Sequence, residues 1–189
     1  MVVAVDTCSL LALSKYYLSF DDGRVLYSFI KSKYERHELI IIDAILIESR
    51  QTAKGQIIES LSFLNENTNN IAKTENLFAP SPKRFSNQLD NNLCVPLQKK
   101  RLTDIEYSAG KQDFLSTGDA RLIIYALNYQ KENQGSLFED FFVLTEETRV
   151  QNDGKLFKKL PLICDFLNIR TITMPEYLKQ NRVAIEWKS

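Results

Sequence analysis

Short apolar runs alternate with longer stretches of helical periodicity along the chain. Residues 2–5 (VVAV) are β-branched or small and uninterrupted, as in a strand buried on both faces. The run stops at Asp6 and Thr7, and Ser9, Leu10, Leu11, Ala12 and Leu13 open a helix. Val25, Leu26, Phe29 and Ile30 recur at helical spacing and predict a helix over 24–34. A second aliphatic run, 39–42, predicts a strand, with Asp43 as the N-cap of a helix reaching about Thr52. Ile57, Ile58, Leu61 and Leu64 share one face of a fourth helix over 56–64.

The pattern then changes. From 65 to about 102, eight asparagines crowd together with Pro80, Pro82 and Pro96, and a loop-rich excursion with some short helix is expected. Regular pattern returns over 102–114. Thr117, Gly118 and Asp119 then open an amphipathic helix carrying Leu122, Ile123, Ala126 and Leu127. Residues 141–145 (FFVLT) predict a third buried strand and 158–168 a helix with Pro161 in its first turn, where a missing N–H does no harm. Residues 170–173 form a fourth strand, and 175–179 begin a last short helix. Strands separated by helices indicate βαβ units: an α/β fold with a mostly parallel sheet and helices on both faces. No internal repeat is visible. The 189 residues fit a single domain over 1–180 with the loop-rich insertion at about 65–102.

Composition narrows the chemistry. With 44% hydrophobic and 25% charged residues the chain can bury a real core, which excludes disordered and disulfide-scaffold classes. Basic and acidic residues balance at 24 each, so any grip on nucleic acid must be local. Cys8, Cys94 and Cys164 form no CxxC pair, and His37 stands alone, so a zinc site of cysteine and histidine is set aside. The apolar opening lacks a basic n-region and contains Asp6, and no run of about 18 apolar residues occurs. A cytoplasmic protein with reduced thiols, not a membrane protein, is the expectation.

In an open parallel sheet, chemistry gathers outside the carboxyl ends of the strands. Asp6 ends the first strand, Glu48 lies on the helix after the second, Asp119 starts the helix before the third, and Glu146 and Glu147 follow the third. Two carboxylates about 5 Å apart repel by roughly 3 kcal/mol at an effective dielectric of about 20. A cluster of them calls for protons or a divalent cation. Hard oxygen donors without cysteine or histidine favour Mg²⁺ or Mn²⁺, ions suited to phosphoryl chemistry. Taken singly, each acid also has an ordinary role. Asp6 and Asp43 suit helix caps, Asp119 suits a helix dipole, and Glu48, Glu146 and Glu147 suit solvated positions.

Four segments in order carry a resemblance. VVAVDTCSLLAL, IIIDAILIESR, STGDARLIIYAL and FFVLTEET resemble the acid-bearing segments of the PIN domain, a metal-dependent nuclease fold found in many bacterial ribonuclease toxins. The tail KLPLICDFLNIRTITMPEYL resembles the closing helix, strand and helix of one PIN subgroup. The resemblance implies a three-layer α/β/α domain and an endoribonuclease, a hydrolase leaving 5′-phosphate and 3′-hydroxyl ends. Asp6, Glu48, Asp119 and Glu147 would be its catalytic and magnesium- or manganese-binding residues, with Thr7 and Thr145 orienting carboxylates or water. It further implies a toxin–antitoxin setting with a protein antitoxin, and a possible homodimer. Two positions depart from the family pattern: the fourth acid is Glu147 where aspartate is usual, and Cys8 stands where a small polar residue is common.

RNA would also need to be held. Lys99, Lys100 and Arg101, and Lys155, Lys158 and Lys159, are local basic clusters able to contact phosphates, and Tyr16 and Tyr17 are candidates for stacking on a base. A solvated charged face and a packed aromatic pair are the alternatives. Among rival functions, a PIN-like scaffold or binding module without catalysis keeps the fold. A P-loop, a GxGxxG turn and a GxSxG elbow are all absent, and a haloacid-dehalogenase site would want an acid where Cys8 stands.

Overall fold

The computed structural model of the chain describes residues 1–133, 140–151 and 154–183. Four strands make its sheet: β1 (Val2–Val5), β2 (Leu39–Ile40), β3 (Phe141–Leu144) and β4 (Thr171–Ile172). Their order is β2-β1-β3-β4 and every pairing is parallel. Val3 lies opposite both Leu39 and Phe142, and Val143 lies opposite Thr171. All four residues of β1 are buried, as an uninterrupted apolar run requires of a central strand.

Helices cover the sheet in a three-layer α/β/α arrangement. In chain order they are α1 (Thr7–Ala12), α2 (Val25–Glu35), α3 (Asp43–Gln51), α4 (Gln56–Ser60), α5 (Phe63–Glu66), α6 (Pro82–Gln88), α7 (Pro96–Lys99), α8 (Asp104–Ser116), α9 (Gly118–Glu132), α10 (Leu160–Phe166) and α11 (Met174–Gln180). A π-helical turn, Leu13–Tyr17, extends α1. The core joins Val3, Val5, Leu10, Ile45, Leu122, Ile123, Val143 and Ile163, each fully or almost fully buried. Each such aliphatic side chain contributes about 1.5–3 kcal/mol by leaving water. Cys94 and Cys164 are buried free thiols, and Cys8 is half-buried and free. Among the described residues no helix is long and apolar enough to cross a membrane.

Several elements differ from their sequence signal, each for a tertiary reason. The second strand stops at Ile40, although Ile41 and Ile42 are fully buried. These two residues turn to a different partner: Ala72 N–H donates to Ile41 O, and Asp43 N–H donates to Ala72 O. Asp43 is not the N-cap but the first residue of α3. Its carboxylate accepts from Thr74 N–H and Thr74 Oγ1, tying down the start of the insertion. The helix expected over 56–64 breaks at Leu61, where the backbone turns to φ −117°. The break buries Phe63 against the rings of Tyr27 and Tyr34, at centroid distances of 5.7 and 5.3 Å.

The 65–102 excursion is more helical than its asparagines imply. Pro82 and Pro96 stand in the first turns of α6 and α7, where they start helices instead of breaking them. Phe85, Leu89 and Leu93 belong to the same core as the sheet. Residues 93–95 also pair with 156–158: Val95 N–H donates to Leu156 O at 2.8 Å and Lys158 N–H to Leu93 O at 2.9 Å. That pairing keeps 158 out of the following helix, which begins only at Leu160.

Between α3 and α4, Ala53 and Lys54 adopt left-handed conformations with φ 49° and 57°. Left-handed backbone costs an L-residue about 1–2 kcal/mol. Glycine avoids that cost but adds freedom to the unfolded chain. Both side chains are exposed, so packing does not enter. Ala53→Gly is expected to stabilise the fold by about 0.5–1 kcal/mol, read as a higher urea midpoint at unchanged slope; a lower midpoint would contradict the assignment of strain here.

Candidate functional site

β1 pairs with β2 on one side and β3 on the other, so the connections leaving the C-terminal ends of β1 and β3 diverge. A crevice opens at such a switch point. Asp6 is the first residue beyond β1 and Thr145 the first beyond β3, and both are buried. Asp6 N–H donates to Leu144 O, and Thr145 N–H to Ile172 O, each at 3.0 Å, so the sheet ladder fixes both residues.

One carboxylate oxygen of Asp6, Oδ2, accepts from Thr145 Oγ1 at 3.0 Å and from Cys8 Sγ at 2.6 Å. Cys8 therefore takes the orienting part that a small polar residue would take. Its own thiol is pushed up to about 12, by burial first and then by the Asp6 charge, so it stays protonated and can keep donating. Ser9, fully buried, donates to Leu144 O at 3.2 Å and ties α1 to the end of β3.

Glu48 reaches the crevice because α3 packs against both α1 and α9. Its Oε2 accepts from Thr7 Oγ1 and its Oε1 from Gly118 N–H, each at 2.7 Å. Glu48 thus clamps the first turns of α1 and α9 together. Thr117 caps α9 by accepting from Ala120 N–H. At the next position a Cβ on Gly118 would stand 2.6 Å from both Glu48 oxygens, so any larger residue there obliges Glu48 or the start of α9 to move.

Asp119, in the first turn of α9, completes the group. Burial and the charges of Asp6, Glu147 and Glu48 push its carboxyl up to about 7, against a smaller downward pull from Lys155. Burial likewise raises Asp6, with Cys8 and Thr145 opposing and Glu147 adding to the rise. Glu147 is held at the rim: its N–H donates to Thr145 Oγ1, and its Oε2 accepts from Leu160 N–H. Glu146 instead points to the start of α11, where it accepts from Met174 N–H. The four sequence-designated acids thus lie at one edge of the sheet, with Thr7 and Thr145 each bonded to one of them.

The basic residues divide. Lys155, Lys158 and Lys159 line a cavity that Asp119 also lines, whereas Lys99, Lys100 and Arg101 do not. Lys99 donates to Asp90 O and sits over the Tyr107 ring at 4.4 Å; Lys100 and Arg101 are exposed. Tyr16 is exposed on the π-helical turn. Tyr17, next to it, is near enough to Glu146 for that charge to add to the effect of burial in raising its hydroxyl. Sequence reasoning gave no role to Ser9 or Gly118, although Gly118 immediately precedes Asp119.

Does this donor set suit a hard dication? Among the described residues no three His, Cys, Asp or Glu side chains are disposed to hold one ion together. Both Glu48 oxygens are already bonded, which makes it a brace in this arrangement. Mg²⁺, however, is commonly held by one or two carboxylates, several waters and the phosphates of a substrate. Asp6 and Asp119 meet that requirement: they are oxygen donors, both are largely desolvated, and the Asp6 charge raises the cost of ionising Asp119. The donor chemistry fits.

Fold and crevice together define a parallel α/β domain with an acid cluster at its topological switch point. The chain belongs to the family described as "Domain of unknown function (DUF4411)", whose profile matches residues 4–185 and so takes in all four acids. Neither the curated proteins nor the solved structures gave a match.

Proposed function

We propose that the chain is a metal-dependent endoribonuclease of PIN type, acting on RNA phosphodiesters with Mg²⁺ or Mn²⁺ at the acid cluster. The observation that carries the reading is the burial of Asp6 and Asp119 at the switch point, with Asp119 raised further by the charges of Asp6 and Glu147, a cost that a bound cation would relieve. Asp6 and Asp119 would hold the ion. Bound there, it would neutralise charge on the phosphate and acidify water. Glu147 adds negative charge at the rim, where a second cation would be drawn.

The chain's own residues have distinct tasks. Thr145 and Cys8 both bond to Oδ2 of Asp6 and so fix the orientation of its carboxylate. Glu48, held by Thr7 and Gly118, keeps the two helix starts that carry Asp6 and Asp119 at a fixed separation. The setting we favour is the toxin of a toxin–antitoxin pair, neutralised in the cytoplasm by a protein antitoxin and able to form a homodimer. The full occupation of the Glu48 oxygens favours a second reading, a PIN-like binding or scaffold module without turnover.

RNA cleavage by wild type and Asp6→Asn, with Mg²⁺, with Mn²⁺ and with EDTA, separates the two. Cleavage by wild type alone, and only with metal, is expected, with Asp6→Asn at least about 100-fold slower. Wild type that neither cuts RNA nor binds metal by calorimetry would leave the scaffold reading standing.

A further inference from the structure

The cavity beside Asp119 has a volume of about 260 Å³, slightly below the roughly 300–1,000 Å³ of clefts for drug-sized ligands. Its walls are of two kinds. Phe114, Leu156 and Phe157 supply apolar surface, and the two phenyl rings stack at 4.4 Å with an angle of 26°. Lys155, Lys158 and Lys159 supply positive charge, and Asp119 closes the end toward the acid cluster. The insertion sets this wall in place, because 156 and 158 are hydrogen-bonded to 95 and 93. Gly110 of α8 also lines the cavity and packs directly on that wall: a Cβ there would stand 2.8 Å from Leu156 Cδ2.

A larger cavity, about 550 Å³, runs along 81–92, but it has no carboxylate in its lining and no link to the acids. The smaller one combines a flat apolar wall, ammonium groups and the candidate metal-binding edge. A nucleotide has the matching parts, an apolar face on its base and an anionic phosphate beside it. An acidic peptide would meet repulsion from Asp119, and inorganic phosphate would have no use for the aromatic wall. Paired bases in a duplex are already stacked and cannot enter.

Resting on the nuclease reading, we propose that this cavity is a base-binding subsite. It receives the unstacked base of the nucleotide adjoining the reacting phosphodiester, with Lys158 on a neighbouring phosphate. The substrate is therefore single-stranded. The 65–102 insertion is the part of the chain that builds the subsite.

The test uses fluorescein-labelled oligouridylate of 12 nucleotides, with binding read by anisotropy in EDTA and cleavage read separately in Mg²⁺. Gly110→Leu fills the cavity and Lys158→Ala removes one phosphate contact; neither changes an acid. Phe114→Ala serves as a second cavity variant should Gly110→Leu fail to fold by circular dichroism. Wild type is expected to bind the oligomer without metal, and a cavity variant to bind about tenfold more weakly or worse. Lys158→Ala is expected to weaken binding and lower the salt slope by about one phosphate contact, and a duplex should compete poorly. Unchanged binding in a folded cavity variant, equal competition by duplex, or no binding by wild type would overturn the subsite. If wild type cuts RNA while the variants bind and cut as well as it does, the subsite fails and the nuclease reading stands. If binding is lost as expected but no RNA is ever cut, the nuclease reading fails and the subsite remains.

Discussion

Asp119→Asn is expected to abolish metal-dependent cleavage and, at pH 8, to raise the melting temperature. The sign follows from its carboxyl, held at about 7 in the folded chain against an ordinary 3.8. Between those values the native state keeps a proton that the unfolded chain has released, so this group's contribution to stability falls as pH rises from about 4 to about 7 and is level above that. The full difference corresponds to at most about 4 kcal/mol. Asparagine keeps the shape and cannot ionise. The variant should therefore gain about 1–4 kcal/mol at pH 8, about 2–16 °C for a chain of this size, and little at pH 4.

Saturating Mg²⁺ should stabilise wild type at pH 8 by about 2–3 kcal/mol at roughly 100 times its dissociation constant. It should do much less at pH 5, where Asp119 is protonated, and little in the variant. Scanning calorimetry at two pH values with and without Mg²⁺ reads all of this. An Asp119→Asn protein no more stable than wild type at pH 8 would remove the electrostatic basis of the site. A gain in stability with a loss of function at one residue is the pattern of a site kept for chemistry at the expense of the fold.

Gly118→Ala should be among the most damaging of small substitutions. The added methyl would stand 2.6 Å from each Glu48 oxygen. Either Glu48 withdraws, losing its bonds to Thr7 and Gly118, or the start of α9 moves and carries Asp119 with it. Overpacking costs about 1–3 kcal/mol, and a lost hydrogen bond to a charged group about 1.5–3 kcal/mol. A total loss of about 2–4 kcal/mol is expected, together with loss of metal binding. Glu48→Ala in the same chain should relieve most of the steric part, so the double variant should lose less stability than the sum of the singles, by about 1–3 kcal/mol. Strict additivity in urea denaturation would show that the two residues do not meet as described.

These two residues mark how far the sequence could be read. Asp119 was visible because an acid at the start of an amphipathic helix is a local pattern with a physical meaning. Gly118 was not, because nothing in its neighbours tells that a carboxylate from 70 residues away will rest on its backbone. Cys8 is intermediate: its position is local, but its task depends on Thr145, 137 positions further on. The strand expected over 39–42 shortened for a similar reason. Its apolar run was real, yet beyond Ile40 the backbone bonds to Ala72 of the insertion, through Ile41 O and Asp43 N–H.

Sequence alone determined the order of strands and helices, the buried character of β1 and β3, and which acids follow which strands. Those are properties of contiguous residues: periodicity sets which face is apolar, and an abrupt polar residue ends a buried run. Tertiary structure alone decided that β3 joins β1 on the side away from β2, and so where the crevice lies. It also decided that Glu48 braces two helix starts, and that the insertion sets Lys158 and Phe157 beside Asp119. Each of these is a contact between distant segments, fixed by steric fit, by backbone hydrogen bonds and by charges brought close in a dry interior.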